Sequence, residues 1–166
     1  MVVDIGGNKG YDIVKFLTKH QDDCPPGSLV VQDLPDTLSG VDLGTEAVEL
    51  QPYDFFTPQP VKGARVYFMH IILHDWPDDK AVQILKNIAG AMEKGYSRLI
   101  LQESLMADDK PLARVTALDI VMMSFFSSAE RSESEWNALL ASAGLKIVKI
   151  WRPSDKVESV IEAELA

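Results

Sequence analysis

The 166-residue sequence has one cysteine, few basic residues and no long apolar run. Cys24 cannot form a disulfide within the chain, and a single thiol suits a reducing compartment, so we expect a cytoplasmic protein. The 16 basic and 25 acidic residues give a net charge of −9, and no basic cluster occurs, which argues against nucleic acid as a partner. The apolar runs fall short of the roughly 20 residues of a membrane span, which argues against a membrane as partner.

What is present is an alternation of strand-like and helix-like segments. Short apolar runs predict strands at residues 2–5, 28–34, 48–50, 65–73, 98–102, 146–151 and 159–163. Helical spacing after Pro77 predicts a helix that stops at Gly95, and Ser132 with Glu135 predicts a capped helix over residues 132–143. The alternation favours an α/β fold with a parallel sheet. The last two strands, joined through residues 152–155, favour a terminal antiparallel hairpin.

The first predicted strand runs into the glycine-rich segment DIGGNKG, residues 4–10. Its spacing does not match the dinucleotide pattern G-x-G-x-x-G, so a dinucleotide site is disfavoured. Asp4 lies two residues before Gly6, where a carboxylate suits a cationic ligand such as S-adenosylmethionine, which carries sulfonium and ammonium groups. The alternative is a glycine turn with a purely structural role.

Acidic side chains also mark the ends of the second and third predicted strands. Asp33 comes roughly 20 residues beyond the glycines, where a carboxylate can accept both hydroxyls of a ribose. The alternative is an aspartate that only forms the turn before Leu34 and the proline after it. Asp54 and Phe55 follow the third strand, where an acid and an aromatic ring could hold the edge and face of an adenine.

Six segments occur in an order that points to a known family: DIGGNKG, VQDLPDT, YDFF, LHDWPDDKAVQILKNI, LQES and ERSESEWNALLASAGL. Together they resemble the plant and fungal small-molecule O-methyltransferases of the caffeic-acid, flavonoid and polyketide type, and the fungal branch in particular. The resemblance covers residues 2–165. The pair LHDW and ERSESEW is specific to that family, whereas the glycine turn alone is not.

The resemblance implies a Rossmann-like, S-adenosylmethionine-dependent methyltransferase fold with a seven-stranded, mostly parallel sheet and a C-terminal antiparallel hairpin. Residues 1–166 would form its catalytic domain, with S-adenosylmethionine as methyl donor and S-adenosylhomocysteine as product. The family's N-terminal helical domain, which dimerises and closes the acceptor pocket, has no counterpart in this sequence, so we expect a fragment of a full-length homodimer. The candidate cofactor-binding residues are Asp4, Gly6, Gly7, Asp33, Leu34, Asp54, Phe55 and His70.

The resemblance also implies a catalytic histidine at His74, flanked by acids at Glu103 and Glu130. Ligands of open α/β sheets bind at the carboxyl ends of strands, which is where His74 and Glu103 fall. Histidine titrates near neutral pH and suits a general base, and a carboxylate bonded to one ring nitrogen would fix its tautomer. The alternatives are a core or capping histidine, a solvated strand end at Glu103 and an ordinary pre-helix acid at Glu130.

Two positions depart from the family pattern. Asn8 replaces a glycine beside the cofactor, and His70 replaces a lysine or arginine four residues before His74. Histidines four apart can share zinc on a helix, but on a strand they lie roughly 13 Å apart, so we expect no metal site. The acidic pair at residues 78–79 is expected to be merely solvated.

The helix predicted over residues 112–126 is rich in methionine and phenylalanine. Met122, Met123, Phe125 and Phe126 suit either an acceptor pocket or core packing, and Trp136 and Trp151 suit the core. Three functions remain open. The chain is a methyltransferase acting on a phenolic or enolic hydroxyl of a small aromatic or polyketide metabolite. It is a cofactor-binding relative that catalyses dehydration or pericyclic rearrangement. Or it is an inactive fragment.

Overall fold

The computed structural model describes residues 1–153 and 158–166, so part of the predicted link at residues 152–155 lies outside the described residues. Within them, seven strands form one sheet and five α-helices flank it. The strands are β1 (Val2–Ile5), β2 (Leu29–Asp33), β3 (Val48–Pro52), β4 (Val66–His70), β5 (Arg98–Ser104), β6 (Leu145–Trp151) and β7 (Glu158–Leu165). The helices are α1 (Tyr11–Lys19), α2 (Pro35–Leu38), α3 (Asp78–Ala89), α4 (Ala113–Phe126) and α5 (Glu133–Ser142). No helix among these residues is both long and apolar enough to cross a bilayer.

The sheet has the strand order β3-β2-β1-β4-β5-β7-β6. β1 to β5 pair in parallel, and β7 lies between β5 and β6 and runs antiparallel to both. The predicted α/β fold and terminal hairpin are therefore confirmed. The chain moves outward from β1 to β3 and then returns to place β4 on the other side of β1. This reversal opens a crevice at the carboxyl ends of β1 and β4, where open α/β sheets bind their ligands.

Alternate residues of the central strands enter two apolar layers. One layer lies under α3 and α5 and includes the fully buried Ile5, Tyr67, Met69 and Leu101, together with Trp136 as predicted. The other lies under α1 and includes Ile13, Leu29 and Val31. Burial on both faces explains the continuous apolar runs of β1 and β2. In β4 and β5, buried residues alternate with half-buried ones for most of each strand.

The fourth strand is shorter than predicted because its last apolar residues belong to a turn. The strand ends at His70, and Ile71 adopts a φ of 52°, a left-handed conformation that is strained for a β-branched residue. A single 3-10 turn, Leu73–Asp75, follows and carries His74. Apolar composition alone could not reveal this break, because Ile71 and Ile72 are as apolar as the strand before them.

Two further predictions of the sequence are wrong. The helix after Pro77 ends at Ala89 with Gly90 as its cap, not at Gly95. Just beyond that end, the carbonyl oxygen of Ala91 accepts the N–H of Gly63, a residue outside the helix. Trp151 is 49% exposed, not in the core. It ends β6 at the edge of the sheet, and the ammonium group of Lys149 lies 3.4 Å from the centroid of its ring.

The capping box predicted for α5 is present. The Ser132 hydroxyl accepts the backbone N–H of Glu135, and the Glu135 carboxylate accepts the N–H of Ser132. Replacing Ser132 with alanine leaves the Glu135 amide without its acceptor, so we expect Ser132→Ala to lose about 1 kcal/mol of unfolding free energy in a urea titration. Ser142→Ala, at the exposed end of the same helix, is the control and should change stability by less than about 0.5 kcal/mol. Equal losses in both variants would contradict the capping role.

Candidate functional site

A cavity of about 430 Å³ opens at the carboxyl ends of β1, β2 and β4. Its volume falls within the range of roughly 300–1,000 Å³ that is typical of small-molecule sites. Its walls combine a glycine turn, carboxylates and aromatic rings. The lining residues are Gly6, Asn8, Asp33, Leu34, Tyr53, Asp54, Phe55, Phe56, Ile72, Asp75 and Trp76.

The glycine turn after β1 brings backbone, not side chains, to the cavity. Gly6 has a φ of 71°, and a Cβ added there would lie 2.7 Å from Cδ1 of Ile72. A Cβ on Gly7 would lie 2.6 Å from Oδ2 of Asp4. Neither position has room for a side chain, so both must be glycine. Because glycine has no side chain to cover the backbone, a ligand can approach the peptide groups closely.

Asp4 lies beneath this turn and is buried. Its Oδ2 has no hydrogen-bond partner among the described residues. Burial raises the pKa of Asp4 to about 7; the charges of Asp12 and Asp33 act in the same direction and that of His70 against it. Asp4 therefore places a carboxyl group directly behind the glycine turn, without a partner for Oδ2 in the described part of the chain, and a cationic ligand in the cavity would favour its ionised form.

The carboxylate of Asp33 is fixed at the cavity by two backbone amides. Its Oδ2 accepts the N–H of Asn8 at 2.9 Å, and its Oδ1 accepts the N–H of Leu34 at 2.8 Å. Each carboxylate oxygen can accept a second hydrogen bond. The fixed geometry and the free lone pairs match the two adjacent hydroxyls of a ribose.

Three aromatic rings form the opposite wall. The centroids of Phe55 and Trp76 are 5.8 Å apart, and those of Phe56 and Trp76 are 4.7 Å apart, in edge-to-face arrangements. Asp54 shapes this segment, since its Oδ1 accepts the N–H of Phe56. An apolar ring wall beside a carboxylate that fits a ribose is a suitable surface for the purine of a nucleoside.

Five of the eight candidate cofactor residues line the cavity: Gly6, Asp33, Leu34, Asp54 and Phe55. Asp4 and Gly7 lie directly behind them. His70 is not among the described lining residues: its Nδ1 lies 2.6 Å from Oδ2 of Asp12, and its Nε2 lies 3.2 Å from Oε2 of Glu158. Asn8, at the expected glycine position, accommodates a φ of 51° and lines the cavity.

The three candidate catalytic residues come together beside this cavity. His74 and Glu130 are both buried, and Nδ1 of His74 lies 2.8 Å from Oε1 of Glu130. Glu103 is fully buried in β5 and binds the backbone leading to the histidine, not its ring. Its Oε1 accepts the N–H groups of Leu73 at 2.8 Å and of Ile72 at 3.2 Å. The solvated strand end considered for Glu103 is therefore wrong.

Opposing effects set the pKa of the histidine. Burial by itself lowers the pKa of His74, but the hydrogen bond to Glu130 and the charges of Glu103, Glu130 and Asp75 outweigh it and leave the pKa above its ordinary value. Burial also raises the pKa of Glu103 to about 7, although the charge of His74 and the backbone N–H groups of the turn act to lower it. Groups with such shifted pKa values beside a cavity are typical of proton-transfer sites.

Sequence reasoning missed two residues that contact the histidine turn. The buried hydroxyl of Ser128 faces the carbonyl oxygens of His74 and Trp76, and Arg131 donates to the carbonyl oxygens of Leu73 and Trp76. The available signal was the position of Arg131 inside the specific ERSESEW segment. A buried guanidinium bonded to carbonyl oxygens cannot be recognised from residue type alone.

Of the acceptor-pocket candidates on α4, Met122 is buried, whereas Met123, Phe125 and Phe126 are exposed. Met122 lies beneath the surface of this helix, and the other three present an apolar surface on it; the helix contacts the histidine turn. No group of three or more potential metal ligands occurs among the described residues.

The sequence model of the O-methyltransferase domain matches residues 1–146. The chain belongs to this O-methyltransferase family. O-methyltransferase ATR12 of Stachybotrys chlorohalonatus is 47% identical over 165 residues, which are 99% of this chain and 42% of that relative. The chain thus spans less than half the length of this curated relative.

Solved structures agree with the family. The structure of LepI in complex with S-adenosylmethionine superposes with a TM-score of 0.93 at 34% identity and covers 100% of this chain and 43% of that one. A structure described as a pericyclic reaction enzyme superposes with a TM-score of 0.93 at 33% identity, with the same coverage. The fold is that of the S-adenosylmethionine-dependent methyltransferases, and the cofactor of the family is S-adenosylmethionine.

The buried carboxyl of Glu103 makes stability depend on pH. Its pKa is raised from 4.5 to about 7, so the folded chain binds more protons than the unfolded chain in this window, and stability falls as pH rises through it. Glutamine keeps the carbonyl oxygen and cannot ionise. The unfolding free energy of Glu103→Gln relative to the original chain should therefore rise by about 1–3 kcal/mol between about pH 5 and about pH 8 in urea titrations. Glu162→Gln, on the neighbouring strand β7, is the control. If the difference in unfolding free energy between Glu103→Gln and the original chain does not change with pH, the raised pKa of Glu103 is contradicted.

Proposed function

We propose that this chain is the catalytic domain of an O-methyltransferase that methylates a hydroxyl of a small aromatic or polyketide metabolite, with His74 as general base. The observation that carries the proposal is the contact of 2.8 Å between Nδ1 of His74 and Oε1 of Glu130 at the edge of a nucleoside-sized cavity. Asp75 and Trp76 line that cavity, so the turn that holds the base also forms part of the cofactor wall.

The cavity residues fit S-adenosylmethionine from end to end. Asp33 would bind the ribose hydroxyls, the rings of Phe55 and Trp76 would pack on the adenine, and the peptide groups of Gly6 and Gly7 would bind the methionine portion. Asp4, buried without a partner among the described residues, would balance its positive charge. When bound, S-adenosylmethionine supplies a methyl group on a sulfonium centre.

His74 supplies the proton acceptor that the reaction needs. A phenol-like hydroxyl has a pKa of about 10, so roughly 0.1% is ionised at pH 7, which corresponds to about 4 kcal/mol. A positioned base offsets this term during the reaction. With Nδ1 bonded to Glu130, Nε2 is the nitrogen left to take the proton, and it lies 3.4 Å from Oδ1 of Asp75 at the wall of the cavity. The carboxylate of Glu130 would stabilise the imidazolium that forms.

The exposed apolar side chains of α4 suit the acceptor. Met123 and Phe126 lie on the helix that contacts the histidine turn, and methionine adapts to flat or irregular apolar ligands. Together with Met122 behind them, they would form one wall of the acceptor site. We further infer that the longer protein acts in the cytoplasm, consistent with the single Cys24, and that it is a homodimer whose other residues complete this site.

Dehydration or pericyclic rearrangement is the second candidate, and the similarity to a pericyclic reaction enzyme favours it. Both candidates use the same cofactor cavity, and they differ in their products. Methyl transfer increases the mass of the acceptor by one methylene unit and consumes the cofactor, whereas rearrangement does neither. The presence of His74 with both glutamates supports methyl transfer.

Removing the base separates catalysis from binding. His74→Ala should retain affinity for S-adenosylhomocysteine, because His74 is not among the described residues that line the cavity. In the full-length protein, the same substitution should lower methyl transfer by about 100-fold or more. Transfer is measured with labelled S-adenosylmethionine and a panel of phenols and aromatic polyketides, with product masses recorded. His20→Ala, at an exposed histidine, is the control. Full transfer by His74→Ala would contradict the role of the base, and products of unchanged mass would favour rearrangement.

Glu130 should control the pH at which the base works. A base must be deprotonated, so transfer rises with pH through the pKa of His74, which lies above its ordinary value. Glu130→Gln removes the charge that favours the imidazolium, and the rising limb of the rate profile should move to lower pH by about one unit. The plateau rate should also fall, because the imidazolium is no longer stabilised. An unmoved limb in Glu130→Gln would show that His74 does not set the profile.

A further inference from the structure

Arg131 is a buried arginine whose bonds converge on one turn. It is 4% exposed; its Nη1 donates to the carbonyl oxygen of Leu73 at 2.8 Å, and its Nη2 donates to that of Trp76 at 2.7 Å. Its Nε and Nη2 also donate to Oδ1 of Asp78, at 3.0 and 2.8 Å. The side chain of Asp78 is 80% exposed, as expected for a solvated acid, and it also pairs with this buried cation.

These bonds bracket the histidine. Leu73 and Trp76 lie on either side of the short turn that carries His74, and one rigid guanidinium bonds to both carbonyl oxygens. The planar fork of arginine fixes the direction of each bond, which the single ammonium of lysine cannot do. The ring of Trp136 lies 5.4 Å from the guanidinium carbon and restricts it from another side.

The turn needs such support because it follows a strained residue. Ile71 has a φ of 52°, which a β-branched residue adopts only when its surroundings impose it. Glu103 holds the next two N–H groups from the sheet side. Arg131 and Ser128 hold the carbonyl groups from the segment before α5. The turn is thus fixed through both its donors and its acceptors.

Arg131 also follows Glu130 directly in the chain. The same short segment delivers a carboxylate to the ring of His74 and a guanidinium to the backbone on either side of it. The amide of Glu130 is itself bound to Oδ1 of Asp119 on α4 at 2.9 Å, and the carbonyl oxygen of Arg131 accepts the N–H of Met106 at 3.0 Å. The distance between carboxylate and imidazole is therefore set by a segment anchored on both sides.

We propose that Arg131 is a positioning residue that holds His74 against Glu130 by clamping the backbone of the turn. The proposal rests on the proposed function, in which His74 is the base. Arg131 acts through the turn and need not touch cofactor or acceptor. Its hydrogen bonds connect the two most specific segments of the sequence, LHDWPDD and ERSESEW.

The test is a proton titration of the histidine rings by NMR in the unliganded chain. The sequence has three histidines, so His20 and His70 serve as internal references for His74. In Arg131→Met and Arg131→Lys the ring should lose its fixed contact with Glu130, and the pKa of His74 should fall by about one unit or more. The pKa of His70 should not change. Asp78→Asn, which keeps the guanidinium but removes its carboxylate partner, should shift His74 in the same direction by less.

Arg98→Met is the matched control, because Arg98 is also partly buried and bonded to a backbone carbonyl and to carboxylates, on the far side of the sheet. It should leave the pKa of His74 unchanged even if stability falls. If Arg131→Met or Arg131→Lys behaves like Arg98→Met, the proposal is overturned. If neither Arg131 variant folds, Asp78→Asn decides in the same way. This readout does not depend on methyl transfer, so failure of the His74→Ala experiment would overturn the proposed function without deciding the role of Arg131.

Discussion

A carboxylate taken out of water needs a partner, and here the partner of Glu130 is the imidazole of His74. This buried contact engages Nδ1 of the ring and raises the pKa of His74 against the effect of burial. It also constrains the fold. The segment between α4 and α5 must return to the end of β4, and its position there explains why Ser128, Glu130 and Arg131 are all buried although they are polar.

The cavity and the turn that carries His74 are connected through Ile72. Cδ1 of Ile72 lies 2.7 Å from the position that a Cβ on Gly6 would take, so the side chain packs directly on the glycine turn. The N–H of Ile72 donates to Glu103. The histidine turn and the glycine turn are therefore in direct contact through the side chain of Ile72. Such a contact suits a reaction that needs two reactants to be aligned, because alignment accounts for a large share of the rate enhancement in reactions of this type.

Much of the fold was predictable because its signals are local. Apolar runs marked all seven strands, and Ser132 with Glu135 marked the start of α5. The predictions that were wrong concern features that depend on neighbours distant in sequence. Trp151 is as apolar as a core residue but lies on an edge strand, and the break at Ile71 is hidden in an apolar run. Asp33, His74 and Glu130 were identified by position and resemblance. The bonds of Arg131 to the histidine turn could not be predicted, because they join two segments that meet only in the folded chain.

The central claim is that the cavity binds the nucleoside portion of S-adenosylmethionine through Asp33 and lies beside a working base. Calorimetric titration of the chain with S-adenosylhomocysteine, alongside the variant Asp33→Asn, tests it most directly. The account predicts micromolar binding that weakens about tenfold or more in the variant. An asparagine amide is uncharged and has one acceptor oxygen, so it cannot accept hydrogen bonds from both ribose hydroxyls as a carboxylate does. No binding to the original chain, or equal binding to both, would contradict it.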